Sequence, residues 1–177
     1  MNRKEAGFNL IELTVTLAVL ATILAVALPA FGAMLQGSRE RNSYELLMLA
    51  FASARLEAVK AGHPVTVCPS SDGLTCRGDD VWTQGWIVYE DPGRNPQPKH
   101  GEAVLHRFDA IGEGLWLRST AGRPQVRFSP SGWSSGSNVS IRLCDREGYL
   151  GAVIVSLAGR ARTERKREPG ACPFSIE

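Results

Sequence analysis

Few of the 177 residues have types and spacings that could do chemistry, and the densest group of them is cationic. Gly159-Arg160-Ala161-Arg162-Thr163-Glu164-Arg165-Lys166-Arg167 places five cations within eight residues. Residues 1 to 158 hold 15 basic and 15 acidic side chains, whereas 159 to 177 hold five and three, so the whole net charge of +2 resides in the tail. Arg160 and Arg162 project to the same side of an extended segment, and guanidinium forks suit phosphate oxygens. A polyanion such as DNA is the natural partner. No base-reading helix accompanies these cations, and Phe174 is the only aromatic after Tyr149. Contact would therefore fall on phosphates, without regard to sequence. A solvated tail, or a docking surface for an acidic protein, is the competing reading.

Signals for catalysis are weak. Gly132-Trp133-Ser134-Ser135-Gly136 fits the nucleophile-elbow pattern of hydrolases, but no histidine follows Ser134 to serve as its base. His63, His100 and His106 share no metal-ligand spacing with the four cysteines, and Asp79-Asp80 reads as a solvated turn. The sequence points to a protein that is not an enzyme and needs no metal or cofactor. The cysteines, Cys68, Cys76, Cys144 and Cys172, suggest two disulfides if the segment carrying them is exported, with three pairings open. Cys68 with Cys76 would close a short loop through Asp72-Gly73. Cys144 with Cys172 would then tie the carboxy-terminal segment, and the basic loop within it, back to the rest of the chain.

Export is implied by the segment that precedes all of this. At 44% hydrophobic and 21% charged, the composition excludes a disordered or collagenous chain, and the length argues against a two-domain enzyme. The average hides a run from Leu13 to Ser38 with no charged side chain. As a helix it covers the roughly 30 Å of a bilayer core. Arg3-Lys4 before it would stay cytoplasmic, leaving everything after Leu35 outside. Ala25-Val26-Ala27 offers the alternative of a cleaved signal peptide. Against that, Glu12 lies just inside the apolar run, where a carboxylate is costly and wants a positive partner. Pro29 is expected to kink or interrupt the helix. Beyond it Tyr44, Leu47, Met48, Phe51, Ala54 and Ala58 form an apolar stripe at helical spacing, and Gly62 with Pro64 marks the stop.

After Gly62 the pattern becomes short β-rich runs. Strands are predicted at Val65 to Cys68, Trp86 to Glu90, Val104 to Phe108, Leu115 to Arg118, Gln125 to Phe128, Val139 to Cys144 and Ala152 to Leu157, with the basic segment as a loop after the last. An α+β fold is expected, a long hydrophobic helix packed on an antiparallel β-sheet head. The division is residues 8–61 as helix, with 8–37 as membrane or filament core and 38–61 as the amphipathic half, then 62–177 as head.

Gly7-Phe8-Asn9-Leu10-Ile11-Glu12-Leu13 closely resembles the processing site of type IV prepilins and pseudopilins. The resemblance implies a leader of residues 1–7, a prepilin peptidase cutting between Gly7 and Phe8, and N-methylation of Phe8. The Phe8 amine of one subunit would then meet Glu12 of its neighbour in a filament. Val67-Cys68-Pro69-Ser70-Ser71-Asp72-Gly73 with Cys76, Trp82-Thr83-Gln84-Gly85-Trp86-Ile87-Val88 and Phe128-Ser129-Pro130-Ser131-Gly132 resemble the GspH/FimT group of minor pilins and pseudopilins, and so does Ile154-Val155-Ser156 leading into Gly159-Arg160. Gly159-Arg160-Ala161-Arg162 is similar to the Gly-Arg-x-Arg motif of the FimT minor pilins that bind DNA in natural transformation. Arg165, Lys166 and Arg167 would extend that site. The resemblance implies a type IV pilin-like fold, other pilins as partners, an inner-membrane precursor with its head in the periplasm, and a DNA-binding role. A structural subunit at the tip of a pilus or of a type II secretion pseudopilus is the alternative.

Overall fold

The computed structural model describes residues 9–99, 103–136 and 138–176, together with the backbone but not the side chains of Arg167 and Pro169. Gly7, Phe8 and His100 lie outside the described residues. The chain divides into two compact units, one up to Arg39 and one from Glu40 onward.

Helix α1 spans Leu10–Ala61. Asn9 starts it: its carbonyl accepts from the Leu13 amide at 3.1 Å and its side-chain oxygen from Ile11 at 3.4 Å, and Glu12 in the first turn complements the helix dipole. In the first unit the large apolar side chains between Leu10 and Leu35 are exposed. This helix is long and apolar enough to cross a membrane. Thr14, Thr16 and Thr22 donate their hydroxyls to carbonyls three residues back, at 2.9, 2.8 and 2.7 Å, which removes their polarity from the apolar surface. The expected interruption at Pro29 is corrected: α1 is continuous through it. A proline removes one hydrogen bond, and the intact turns on both sides hold the helix together.

In the second unit the stripe becomes a core. Tyr44, Leu47, Ala50, Phe51, Ala54 and Ala58 are buried, and the alanines let α1 approach the strands closely. Gly62, at φ +70°, ends the helix in the left-handed conformation, with its amide on the Ala58 carbonyl at 3.2 Å.

Among the described residues eight strands follow: β1 Val65–Pro69, β2 Gly85–Glu90, β3 Val104–Asp109, β4 Trp116–Ser119, β5 Val126–Phe128, β6 Val139–Cys144, β7 Tyr149–Val155 and β8 Ala161–Gly170. They form two antiparallel four-stranded sheets, in the orders β3-β2-β1-β5 and β4-β6-β7-β8. Phe51 of α1 lies 6.1 Å from the Trp82 ring and 6.5 Å from Phe128, and Trp82 continues to Trp86 at 6.3 Å. These aromatics join the helix to residues of the first sheet and the loop before it.

Two loops are tightly held. Asp91, whose side chain is 1% exposed, accepts from Thr66 Oγ1 at 2.8 Å, Arg127 Nε at 2.6 Å and the Asn95 amide at 2.5 Å. Nearby, burial and then the Asp91 charge push the Tyr89 hydroxyl up to about 12. The loop closed by Cys68 and Cys76 is organised by Asp72. Its carboxylate accepts from the side chain and amide of Thr75 and from the amide of Leu74, which holds it well below the usual carboxylate range. The Gln97 side chain completes this corner, accepting from the Cys76 amide and donating to the Cys76 carbonyl, both at 2.8 Å.

Candidate nucleic-acid interface

The segment expected to be a loop after the last strand is itself a strand, and this corrects the reading of a basic loop. β8 pairs antiparallel with β7, matching Val155 to Ala161, Ile154 to Arg162, Val153 to Thr163, Ala152 to Glu164 and Gly151 to Arg165. Alternation then divides the cations between two faces. Val153 and Val155 belong to the core, so Ala161, Thr163 and Arg165 share the core side, while Arg162 and Glu164 share the outer side. Arg165 is spent on packing, its guanidinium 4.9 Å from the ring centre of buried Tyr44. Lys166 is exposed on β8, and the Arg167 side chain lies outside the described residues.

Gly159 makes the hairpin between β7 and β8 possible. It sits at φ +70°, donates its amide to the Ser156 carbonyl at 2.8 Å, and abuts the Gly132 carbonyl so closely that a Cβ would collide with that oxygen. The Ser156 amide donates to the Arg160 carbonyl at 3.0 Å, closing the turn and fixing the backbone of Arg160, whose side chain is exposed at the hairpin end. Arg162 follows, exposed, on the outer face.

Sheet register adds two cations from distant parts of the chain. On the outer face Ile154 is flanked by Ser140 and Arg162, and Ala152 by Arg142 and Glu164. Arg142 in turn opposes Arg118 on β4. Strand spacings of about 4.8 Å put Arg118, Arg142 and Arg162 within one face roughly 15 Å wide. Arg118 is partly engaged, 4.0 Å from Asp80 and 5.6 Å from the centre of the Phe174 ring. Glu164 lowers the field, and near it burial and then the Glu164 charge raise the Tyr149 hydroxyl, with Arg142 acting in the opposite sense. Arg118 and Arg142 were invisible to a linear reading. Only alternation within β4 and β6 signals that they face outward.

The other candidate residues fall into structural roles. Cys68 is bonded to Cys76 and Cys144 to Cys172, the latter anchoring the segment after β8. Ser134 is nearly buried, bridged to Phe128, and donates its hydroxyl to the Ser156 carbonyl at 2.9 Å, so the hydrolase-like motif has neither strand-turn-helix context nor a free nucleophile. Asp79 is hydrogen-bonded and ion-paired by Arg77, which lowers its carboxyl, and Asp80 faces Arg118. Among the described residues no group of three His, Cys, Asp or Glu side chains converges. Glu12 stands exposed in the first turn of α1.

A helix long and apolar enough to cross a membrane, and a head of helix and two antiparallel sheets, define a type IV pilin-like fold. The chain belongs to the GspH family, described as type II transport protein GspH, which matches residues 44–159. The cations from Arg160 onward lie just beyond that match. No curated protein matches the chain by sequence. The fold is shared with the type IV minor pilin FimU of Pseudomonas aeruginosa strain PAO1, seen in two crystal forms. Each gives a TM-score of 0.56 at 19% identity, over 75% of this chain and 98% or 97% of FimU. It is also shared with the minor pseudopilin EpsH of the Vibrio cholerae type 2 secretion system, at TM-score 0.51 and 16% identity, over 72% of this chain and 98% of EpsH.

Proposed function

We propose that this chain is a minor pilin incorporated in a type IV pilus, and that the β7–β8 hairpin binds double-stranded DNA through its phosphates, independently of sequence, for uptake in natural transformation. One observation carries the reading. The turn at Gly159 fixes the backbone from which exposed Arg160 and Arg162 project, beside the outer face that also bears Arg142. Rigidly mounted guanidinium groups recognise phosphate with little loss of conformational freedom.

The precursor sits in the bacterial inner membrane with its head in the periplasm. Prepilin peptidase cuts between Gly7 and Phe8, and the methylated Phe8 amine pairs with Glu12 of a neighbouring pilin. That pairing gives the costly carboxylate its partner and sets the axial register of the filament.

The test uses the full chain in non-ionic detergent with a labelled duplex. With three or four phosphates engaged by Arg160, Arg162, Arg142 and Lys166, log K should fall against log salt with a slope of roughly −3 to −4. Arg160→Gln with Arg162→Gln should lower the magnitude of that slope by about two. Equal binding by wild type and double variant rejects the site.

A further inference from the structure

Trp133 stands apart from the core tryptophans. Trp82 and Trp86 are fully buried, whereas Trp133 is 58% exposed, beside Leu157 at 43%. A large exposed aromatic on a loop usually signals a flexible tip, yet this one is fastened on both sides. Before it, Gly132 donates to the Ser129 carbonyl at 2.8 Å, and its own carbonyl receives Arg55 Nε at 3.0 Å and abuts Gly159. At the residue itself, the Trp133 carbonyl accepts the Ser129 amide at 2.8 Å and the Ser129 hydroxyl at 3.1 Å. After it, Ser134 donates its amide to Leu157 at 2.9 Å and its hydroxyl to Ser156 at 2.9 Å. The backbone carrying the indole is thus riveted to the turn that carries Arg160.

An indole held open to solvent on a loop fastened to the turn that carries Arg160 has one evident use in nucleic-acid chemistry: a base can stack on it, with the neighbouring phosphates on the guanidinium groups. Bases of an intact duplex already stack on one another and cannot leave without loss of pairing. We propose that Trp133 is a stacking platform for unpaired bases, so that the site engages single-stranded DNA, including frayed or overhanging ends, as well as duplex. This rests on the assignment of Arg160 and Arg162 as the phosphate-binding pair. The wall beside the turn, lined by Phe51, Leu56, Val59 and Arg160 around a cavity of about 520 Å³, offers further apolar surface for a splayed base.

The experiment compares an unstructured 20-nucleotide single strand with its duplex, using anisotropy and full chain in non-ionic detergent. Trp133→Ala should weaken single-strand binding roughly five- to hundredfold, the range for loss of one stacked base. It should change duplex binding less than twofold, and Trp133→Phe should restore most of the single-strand affinity. Single strand should quench tryptophan emission more in wild type than in Trp133→Phe, where Trp82 and Trp86 are buried and half-buried Trp116 is the one remaining indole with access to solvent. If Trp133→Ala changes neither ligand, or weakens both equally, the stacking role is overturned while duplex binding that depends on Arg160 and Arg162 still stands. If wild type binds neither ligand at low salt, the DNA reading itself fails and the stacking role with it.

Discussion

Gly159 gives the sharpest test of the hairpin, because a second glycine with the same backbone angle supplies its control. Gly159 lies at φ +70° and Gly122 at φ +71°, but a Cβ on Gly122 would meet nothing within 4 Å, whereas one on Gly159 would strike the Gly132 carbonyl. Gly122→Ala therefore incurs only the left-handed strain of an L-residue, about 1 to 2 kcal/mol. Gly159→Ala incurs that strain and must also displace a carbonyl that holds Arg55, adding about 1 to 3 kcal/mol. At roughly 4 °C per kcal/mol, Tm should fall by about 4 to 8 °C for Gly122→Ala and about 8 to 20 °C for Gly159→Ala. Near-ultraviolet circular dichroism of the full chain in detergent reads both. Equal falls would show that the Gly132 contact is absent, and the packing of residues 129–134 against the hairpin would have to be abandoned.

Other expectations follow from single contacts. Glu164→Gln removes the acidic group from the cationic face and should tighten duplex binding about twofold at low salt, an effect that fades as salt screens it. Asp91→Ala leaves Arg127 and Thr66 without their shared acceptor and should cost about 3 to 5 kcal/mol in urea unfolding. Replacing Cys144 and Cys172 together by Ser opens a loop with a sequence separation of 28 and should cost roughly 3 to 4 kcal/mol on the chain-entropy account. Tyr89 ionises near 10 when unfolded and near 12 when folded, so its contribution is complete below pH 10 and is lost between pH 10 and 12. Over that window wild type should lose on the order of 2 kcal/mol more stability than Tyr89→Phe.

How much of this was readable without coordinates depended on whether apolar spacing marked it. The stripe from Tyr44 to Ala58 and seven strands carried that mark, and their observed bounds differ from the expected ones by at most three residues. β8 carried none. Its outer face is charged and its core side contributes Ala161, Thr163 and Arg165, so the only evidence for a strand is its hydrogen bonding to β7. Charged side chains along such an edge also discourage pairing with other chains. The separation into two sheets was likewise hidden, since it depends on which strands pair rather than on what each contains. Of the residues in the proposed site, Arg160 and Arg162 stand out by charge and Gly159 by the resemblance of its motif, but Arg142 joins them only through register. Trp133 lies inside a hydrolase-like motif, and nothing in the order of residues shows that this motif docks on the far hairpin.

The amide of Gln97 grips both backbone groups of one residue of the small cysteine ring, Cys76, as a neighbouring strand would. A thiol reductant that opens that ring would therefore release a covalent tie without releasing the fold around it. Proteases that must straighten their substrate would still find this corner closed.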